Sequence, residues 1–401
     1  MVAGVQTGDL TLVREVNKGI VLNLLRTLSP LSRSDISRIT GLNKATVSSL
    51  TADLVAGGRV LELGAGPSQS GRKPQMLSLN ARAGLVLGVQ LDARYVRGLC
   101  CDLLGQPLLT EQVDLPPGTG PREGFETLVN LVRALVNLAP AAPMGLLGAA
   151  VGIPGVVDRT GAVIAFVDPD SSWKEIPLRA RLEDALSIPM VIENAANAAA
   201  MGEWCFGAAN RVRDLVYVHL SMGMGAGVIL DGRLYRGSHG AAGEIGHMTL
   251  EATGPHCRCG NRGCWQLYAA EQGIRRMLPR HDHLGLDQLI QLAADGDADV
   301  AAALLRAGEA LGKGLVGIIN AFDPEMVVIG GPLAAAHRFL LPAAAKALAV
   351  CRMPGRDRAV PVVTGTLGRD ACALGAAAIL LDKHFSLPSL QLPWSCSQLR
   401  P

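Results

Sequence analysis

Apolar and polar positions alternate with helical spacing at the start of the chain. Over residues 10–28 this pattern predicts an amphipathic first helix. Its apolar stripe is expected to comprise Leu12, Val16, Ile20, Leu24 and Leu28. A shorter helix should begin after Ser32, carry Ile36 and Ile39 on one side, and end at Gly41.

A third helix follows this glycine turn. Asn43 is suited to cap it, and its buried side should comprise Val47, Leu50 and Leu54. Two helices joined by such a turn are typical of a helix-turn-helix, whose second helix enters the DNA major groove. The polar side chains of this region expected to contact DNA are Arg33, Asn43, Lys44, Thr46, Ser48 and Ser49.

The segment from Arg59 to Leu79 contains two strand-like runs around a tip rich in Gly, Ser and Pro, which is typical of a wing. Arg72 and Lys73 are its cations. Residues 1–80 hold nine Lys/Arg and five Asp/Glu, whereas the whole chain has a net charge of only +2. A subdomain that binds nothing is the alternative, but the basic excess, the polar helix face and the wing together favour DNA.

From about residue 84 the pattern changes to strand meanders. The first runs to residue 115 and is followed by a helix near 121–138, the strands ending in GIPGVVD and PMVIEN, and an Ala-rich helix at 195–206. A second meander begins at 214. Further helices are expected near 268–278, 285–294, 298–321, 333–350 and 371–383, with the strands MVVIGG and AVPVVTG among them. The pattern predicts two similar α/β halves with a ligand crevice between them.

The predicted fold class is therefore α/β with an N-terminal winged helix-turn-helix. The predicted segments are the DNA-binding domain 1–82, the first α/β half 83–195, the second half 196–385 and a C-terminal tail 386–401.

Composition agrees with a well-packed globular protein. Apolar residues make up 49% and charged residues 18% of the 401 residues, a length that can form two or three cores. The N-terminus lacks a charged-then-apolar signal pattern, and no run of about 18 apolar residues occurs. We therefore expect a cytoplasmic protein without a membrane span.

Three of the nine cysteines, Cys257, Cys259 and Cys264, lie within eight residues, and His247 precedes them by ten positions. A Cys₃His set is a standard shell for structural Zn²⁺. The spacing is not that of a zinc finger, so we expect a metal-pinned loop, 244–266, within the second half. His256 is an alternative fourth ligand, although it adjoins Cys257, and three unrelated buried thiols are the alternative to a metal site.

Several motifs together resemble the ROK family, which contains bacterial sugar kinases and sugar-responsive repressors. They are GIPGVVD, ENAANAAAMGE, SMGMGAGVILDGRLYRGSHGAAGEIGH, VVIGG and the most specific one, GHMTLEATGPHCRCGNRGC. The resemblance covers nearly the whole chain. It implies a duplicated actin-like, ribonuclease H-like body of the sugar-kinase type with a zinc loop. The winged helix places the chain beside the xylose-, N-acetylglucosamine- and glucose-responsive repressors.

Two departures from the family's kinases argue against catalysis. Where the kinases carry an Asp and a glycine-rich phosphate loop, this chain has Gln90 and then the turn 92–94, Asp-Ala-Arg. Their general-base Asp corresponds to Ala195, which cannot take a proton from a sugar hydroxyl. The resemblance therefore implies a protein without catalytic residues. The second glycine loop, 223–227, is retained, and we interpret it as a tight hairpin turn.

The same resemblance implies a set of sugar-binding positions. The implied sugar-effector residues are Asn194, Glu244, His247, Gln266, Gly152 and Gly155. Gln266 stands where the family has Glu. His247 would ligate Zn²⁺ through one ring nitrogen and contact a hydroxyl through the other. A vestigial pocket, with regulation by a partner protein or an unusual ligand, is the alternative.

These features predict a DNA-binding transcriptional regulator, a repressor of carbohydrate uptake or metabolism genes. Its expected partners are a double-stranded DNA operator and a monosaccharide or related effector, with Zn²⁺ as a structural cofactor. A homodimer or tetramer is expected, since symmetric assemblies match palindromic operators. Two other functions remain open at this point, namely a sugar kinase with an appended DNA-binding domain, and an inert scaffold that positions a regulatory protein on DNA.

Overall fold

The computed structural model describes residues 10–65, 73–116, 118–158, 160–166, 176–209, 212–350 and 359–385, with side chains omitted at 10, 11, 164–166 and 350. Arg72 and the tail 386–401 lie outside the described residues.

Three helices and a small antiparallel sheet form the N-terminal head, residues 10–80. In chain order they are α1 (Leu10–Leu28), β1 (Leu31–Ser32), α2 (Arg33–Thr40), α3 (Lys44–Ala56), β2 (Val60–Ala65) and β3 (Gln75–Leu79). The sheet order β1-β3-β2 is that of a winged helix. Ser32 begins α2 through a capping box with Asp35, and Asn43 caps α3 by accepting a hydrogen bond from the Thr46 N–H.

The predicted apolar stripe of α1 is wrong at both ends. Leu12 and Leu28 are 48% and 53% exposed, whereas Val21, Leu22 and Leu25 are buried. A spacing of four residues advances about 40° per step beyond a full turn, so the ends of a five-membered stripe are separated by about 160°. The face that meets the core is therefore the one carrying Val21 and Leu25.

The predicted cores of α2 and α3 are largely confirmed. Ile36, Val47, Leu50 and Leu54 are buried, but Ile39 is 45% exposed. Ile39 follows Ile36 by three residues, or about 300° of helix, and this places it at the rim of the buried face.

The body contains two five-stranded sheets of the same design. In chain order its elements are β4 (Leu85–Leu91), β5 (Tyr95–Asp102), β6 (Pro107–Asp114), α4 (Pro121–Leu138), β7 (Leu146–Ile153), β8 (Gly155–Val157), β9 (Val163–Phe166), α5 (Leu178–Leu186), β10 (Met190–Asn194), α6 (Ala195–Phe206), β11 (Leu215–Leu220), β12 (Met224–Leu230), β13 (Arg233–Tyr235), α7 (Gln266–Ala269), α8 (Glu271–Met277), α9 (Leu286–Ala294), α10 (Ala298–Phe322), β14 (Met326–Gly330), α11 (His337–Val350), β15 (Val362–Thr364) and α12 (Ala371–Phe385). The sheet orders are β10-β7-β4-β5-β6 and β13-β12-β11-β14-β15. In each sheet three antiparallel strands are followed by two parallel ones, so the predicted duplication is confirmed.

Some elements differ from the prediction. The strand predicted to end in GIPGVVD is divided at Pro154 into β7 and β8, and β9 and helix α5 were not predicted. The helix expected at 268–278 is interrupted at Ala270, between α7 and α8. Among the described residues, no helix has both the length and the apolar character needed to cross a bilayer. The proposed domain boundaries at 82, 195 and 385 remain predictions.

Helix α12 connects the two halves and the head. It follows β15 of the second sheet in the chain. It nevertheless packs on strands β4 and β7 of the first sheet and on helix α6, which directly follows β10 of the first sheet. A Cβ at Gly375 would overlap the carbonyl oxygen of Ala198, so the two helix backbones touch only because this residue is glycine. At the far end, Phe385 is buried beneath the Arg26 guanidinium of α1, 5.4 Å from its ring centroid.

Candidate metal centre and ligand crevice

The predicted metal ligands converge. His247 Nδ1 lies 3.7 Å from Cys257 Sγ, and Cys259 Sγ lies 3.6 Å from Cys264 Sγ. All four ligand atoms are within 4.8 Å of one another. Zn–S bonds of about 2.3 Å in a tetrahedron separate neighbouring sulfurs by about 3.8 Å, so the spacing fits one ion. The cluster could therefore hold a metal.

The loop reaches this shape through a close backbone approach. Gly263 has φ +64°, and a Cβ there would overlap the carbonyl oxygen of Glu251. Its N–H donates to the Pro255 carbonyl at 2.8 Å. His256 is exposed and forms a bridge with Arg262 across the loop, away from the ligand cluster. Of the two imidazoles, that of His247 is the one that lies with the three sulfurs. Its role as the fourth metal ligand remains a prediction.

The chemistry of the donors also suits a metal. Burial lowers the pKa of His247, so its imidazole is neutral at pH 7 and has a lone pair available. The carboxamide of Gln266 donates to Cys257 Sγ at 3.5 Å, a contact that favours thiolate over thiol. Three sulfurs and one imidazole form a donor set that Zn²⁺ accepts.

Asn194 stands at the junction of β10 and α6. Its Oδ1 accepts hydrogen bonds from the N–H groups of Ala196 at 2.8 Å and Asn197 at 3.1 Å, and its Nδ2 donates to the Gly155 carbonyl at 2.9 Å. A carboxamide has two acceptor sites and two donor hydrogens. Three of the four are used, which leaves one N–H for a ligand hydroxyl.

Glu244 offers the complementary acceptor. It directly precedes the 3₁₀ turn Ile245–His247, so one short segment carries both this carboxylate and a metal ligand. Burial raises its pKa, and within the described residues the carboxylate makes no hydrogen bond or ion pair. The Ala226 N–H donates to the Gly243 carbonyl at 2.7 Å and fixes the segment against β12.

The glycine turn between β11 and β12 brings these parts together. The Met224 N–H donates to Gln266 Oε1 at 3.4 Å. A Cβ at Gly225 would lie 3.6 Å from Ala196 Cβ on α6. The turn therefore lies between the start of α6 and the metal loop. Gly152, by contrast, makes room for Cys372 of α12, because a Cβ there would overlap its sulfur.

Within the described residues, the carboxylate closest in sequence to Ala195, that of Glu193, is already engaged by other side chains. Ala195 begins α6 and is 5% exposed. The preceding Glu193 is buried, and its Oε1 accepts from the Asn194 N–H and from Asn197 Nδ2, each at 3.0 Å. Its Oε2 accepts from Arg236 at 2.8 Å. This carboxylate is held by an ion pair that the sequence analysis did not predict, because Arg236 comes from the other half of the body.

On the head, α3 presents a polar surface. Lys44 and Ser48 are exposed, Thr46 is half-buried, and the Asn43 side chain caps the helix. Lys73, two residues before strand β3 of the wing, is exposed.

Two predicted DNA contacts have partners within the head. Arg33 donates to Thr51 Oγ1 at 3.0 Å and to Glu62 Oε1 at 2.6 Å. Ser49 Oγ accepts from Arg14 at 3.0 Å. Arg33 thus joins α2 to α3 and to the wing strand β2. Ser49 joins α3 to α1 through Arg14.

Comparison with known proteins gives a consistent result. The sequence model of the ROK family matches residues 86–383. A xylose repressor of Bacillus subtilis is 35% identical over 378 residues, which are 94% of this chain and 97% of the repressor. The crystal structure of a ROK family transcriptional regulator, a homologue of the Escherichia coli Mlc protein, superposes with a TM-score of 0.78 at 25% identity and covers 93% of this chain and 97% of its own. A ROK glucokinase from Streptomyces griseus, solved with glucose and AMPPNP, superposes with a TM-score of 0.65 at 27% identity, over 74% of this chain and 99% of its own.

Proposed function

The chain belongs to the ROK family, and from this membership we propose that it is a sugar-responsive transcriptional repressor without kinase activity. The winged-helix head carries the proposal, since α3 buries Val47 and Leu50 and exposes Lys44 and Ser48. The similar regulator covers 93% of this chain, whereas the similar glucokinase covers 74%. Part of this chain therefore has a counterpart in the regulator and none in the glucokinase.

The chemistry of the crevice supports loss of phosphoryl transfer. Ala195 has no proton acceptor, and the neighbouring Glu193 is already bound by Arg236 and Asn197. General-base assistance contributes roughly 10²–10⁴-fold to such reactions. A sugar would bind without being activated.

The effector would be a monosaccharide. Glu244 would accept hydrogen bonds from its hydroxyls and Asn194 would donate one, while Gln266 lies beside the glycine turn. The similarity to a xylose repressor makes D-xylose the first sugar to test. Zn²⁺, held by the four-ligand cluster, would fix Glu244 toward the crevice. DNA would be bound as a palindromic operator by a homodimer or tetramer.

Footprinting on genomic DNA, with and without D-xylose, N-acetylglucosamine and glucose, tests this function. We expect a protected operator whose protection one sugar abolishes. Lys44→Ala should weaken binding and lower the salt dependence by about one phosphate contact, whereas the exposed Lys313→Ala on α10 should not. Absence of a protected site, or equal binding by both variants, would contradict the proposal.

A coupled ADP-release assay with the same sugars tests the kinase alternative. We expect no sugar-dependent ATP turnover in the zinc-loaded protein. ADP release above that of a control with ATP but without sugar would show that the chain is an enzyme.

A further inference from the structure

The turn between β4 and β5 has a contact that the proposed function leaves unused. Here Asp92, Ala93 and Arg94 stand where the family's kinases carry a glycine-rich loop. Arg94 Nη1 lies 3.6 Å from Oε2 of Glu271, the first residue of α8. The Arg94 side chain is 44% exposed, whereas that of Glu271 is fully buried.

The two oxygens of Glu271 differ in their surroundings. Oε1 accepts from Arg275 Nη2 at 2.7 Å and from Arg275 Nε at 3.0 Å. Oε2 has no hydrogen-bond partner within the described residues, and it faces Arg94. A buried carboxylate oxygen without a donor is costly, so this atom favours the approach of a further cation.

Arg94 and Glu271 belong to different halves of the body. The Glu271 N–H donates to the Ser221 carbonyl at 3.0 Å, and the Gln272 N–H to the Met222 carbonyl at 3.3 Å. Glu271 thus lies directly behind the β11–β12 turn. Arg94 belongs to the β4–β5 turn, the equivalent turn of the first sheet. The Arg94–Glu271 pair therefore joins equivalent turns of the two halves across the crevice.

We propose that Arg94 is a positioning residue that holds the two halves of the body in the arrangement of this structure through Glu271. A movement of less than about 1 Å brings Arg94 Nη1 within hydrogen-bond distance of Oε2. Opening of the crevice leaves that buried oxygen without its facing cation. Asp92 keeps the arginine in place, because its Oδ1 accepts from the Arg94 N–H at 3.1 Å and lies 3.8 Å from Arg94 Nε. Any ligand that closes the crevice completes this contact.

Hydrogen exchange on the full-length, zinc-loaded protein tests the proposal. In Arg94→Gln we expect several-fold faster exchange of the Glu271 and Gln272 amides and a larger radius of gyration in small-angle scattering. Arg94→Lys should show smaller changes, since it retains the charge. Arg122→Gln is the matched control, because it removes an exposed ion pair with Glu126 on α4 and should change neither quantity.

A second measurement distinguishes positioning from local packing. Raising the salt concentration should speed exchange at Glu271 in the wild type and have little effect in Arg94→Gln, since screening acts on the charge pair. Unchanged exchange and radius in Arg94→Gln would overturn the proposal. Slower exchange caused by inorganic phosphate in the wild type alone would also overturn it, because Arg94 would then be an anion receptor. Neither operator nor sugar is required, so failure of the proposed function leaves this test intact.

Discussion

His247 and His256 provide a matched test of the metal centre, because both imidazoles belong to the same loop. His247 contributes one of the four converging ligand atoms, whereas His256 is exposed and lies beside Cys257. We expect His247→Ala to purify without stoichiometric metal. His256→Ala should retain one Zn²⁺ per chain.

The loss of stability expected in His247→Ala can be estimated from the free energy needed to close the loop. His247 and Cys264 are 17 positions apart, and closing a flexible loop of that length costs roughly 2.5 kcal/mol. The apolar cluster beneath the loop is small, with Cys257, Cys264 and Leu267 as its buried members. We therefore predict that a bound metal supplies most of the free energy that closes the loop. For the half that carries the loop, a loss of this size corresponds to a fall of roughly 5–10 °C in melting temperature.

Elemental analysis and thermal unfolding measure both consequences. A chelator should lower the melting temperature of the wild type and of His256→Ala, and leave His247→Ala unchanged. Equal metal content in the two variants, or a chelator effect that persists in His247→Ala, would refute the assignment of the fourth ligand.

Three further outcomes are expected. Gly375→Ala places a Cβ against a backbone carbonyl of α6 and should cost at least about 2 kcal/mol in urea unfolding, whereas Gly19→Ala, with nothing within 4 Å, should stabilise by about 0.5–1 kcal/mol. Partial burial and the nearby Arg59 charge lower the pKa of His384, although much of its surface is exposed, so its contribution to stability is small; it is present above about pH 6.5 and declines as pH falls below it. His384→Gln should slightly flatten the pH dependence of the melting temperature between pH 7.5 and 5.5. Arg236→Ala leaves the Glu193 carboxylate buried without its cation and should lower the free energy of unfolding by roughly 2 kcal/mol. This is less than for a fully buried pair, because the arginine is 45% exposed. Adding Glu193→Gln should recover part of the lost stability.

The elements with strong local patterns were predictable from the sequence. Helix α4 begins at Pro121 and α6 follows the capping residue Asn194, so both match their predicted starts. The metal cluster was predictable because thiols and imidazole at short spacing have few other uses. Strand β9 was missed because a segment of four residues is too short for alternation to show. Strand β8, only three residues long, was merged with β7 into one predicted strand.

Contacts between distant segments were not predictable. The pairs Arg94–Glu271 and Arg236–Glu193 each join the two halves, and no local pattern indicates which cation meets which carboxylate. Gly152 illustrates the same limit, since nothing in its motif indicated that it lies against Cys372 of α12. The implied sugar and DNA contacts remain predictions.

Helix α12 is the element through which we expect a movement of the body to reach the head. Its glycine contact with α6 is a close backbone approach, and we expect this contact to oppose sliding of α12 along α6. Fifteen residues span about 22 Å, and a tilt of about 5° at the first turn therefore moves the last residue by about 2 Å. That last residue is Phe385, on which Arg26 of the head rests. We therefore expect a small tilt at the first turn of α12 to produce a larger displacement at its last residue, where the DNA-binding head is packed.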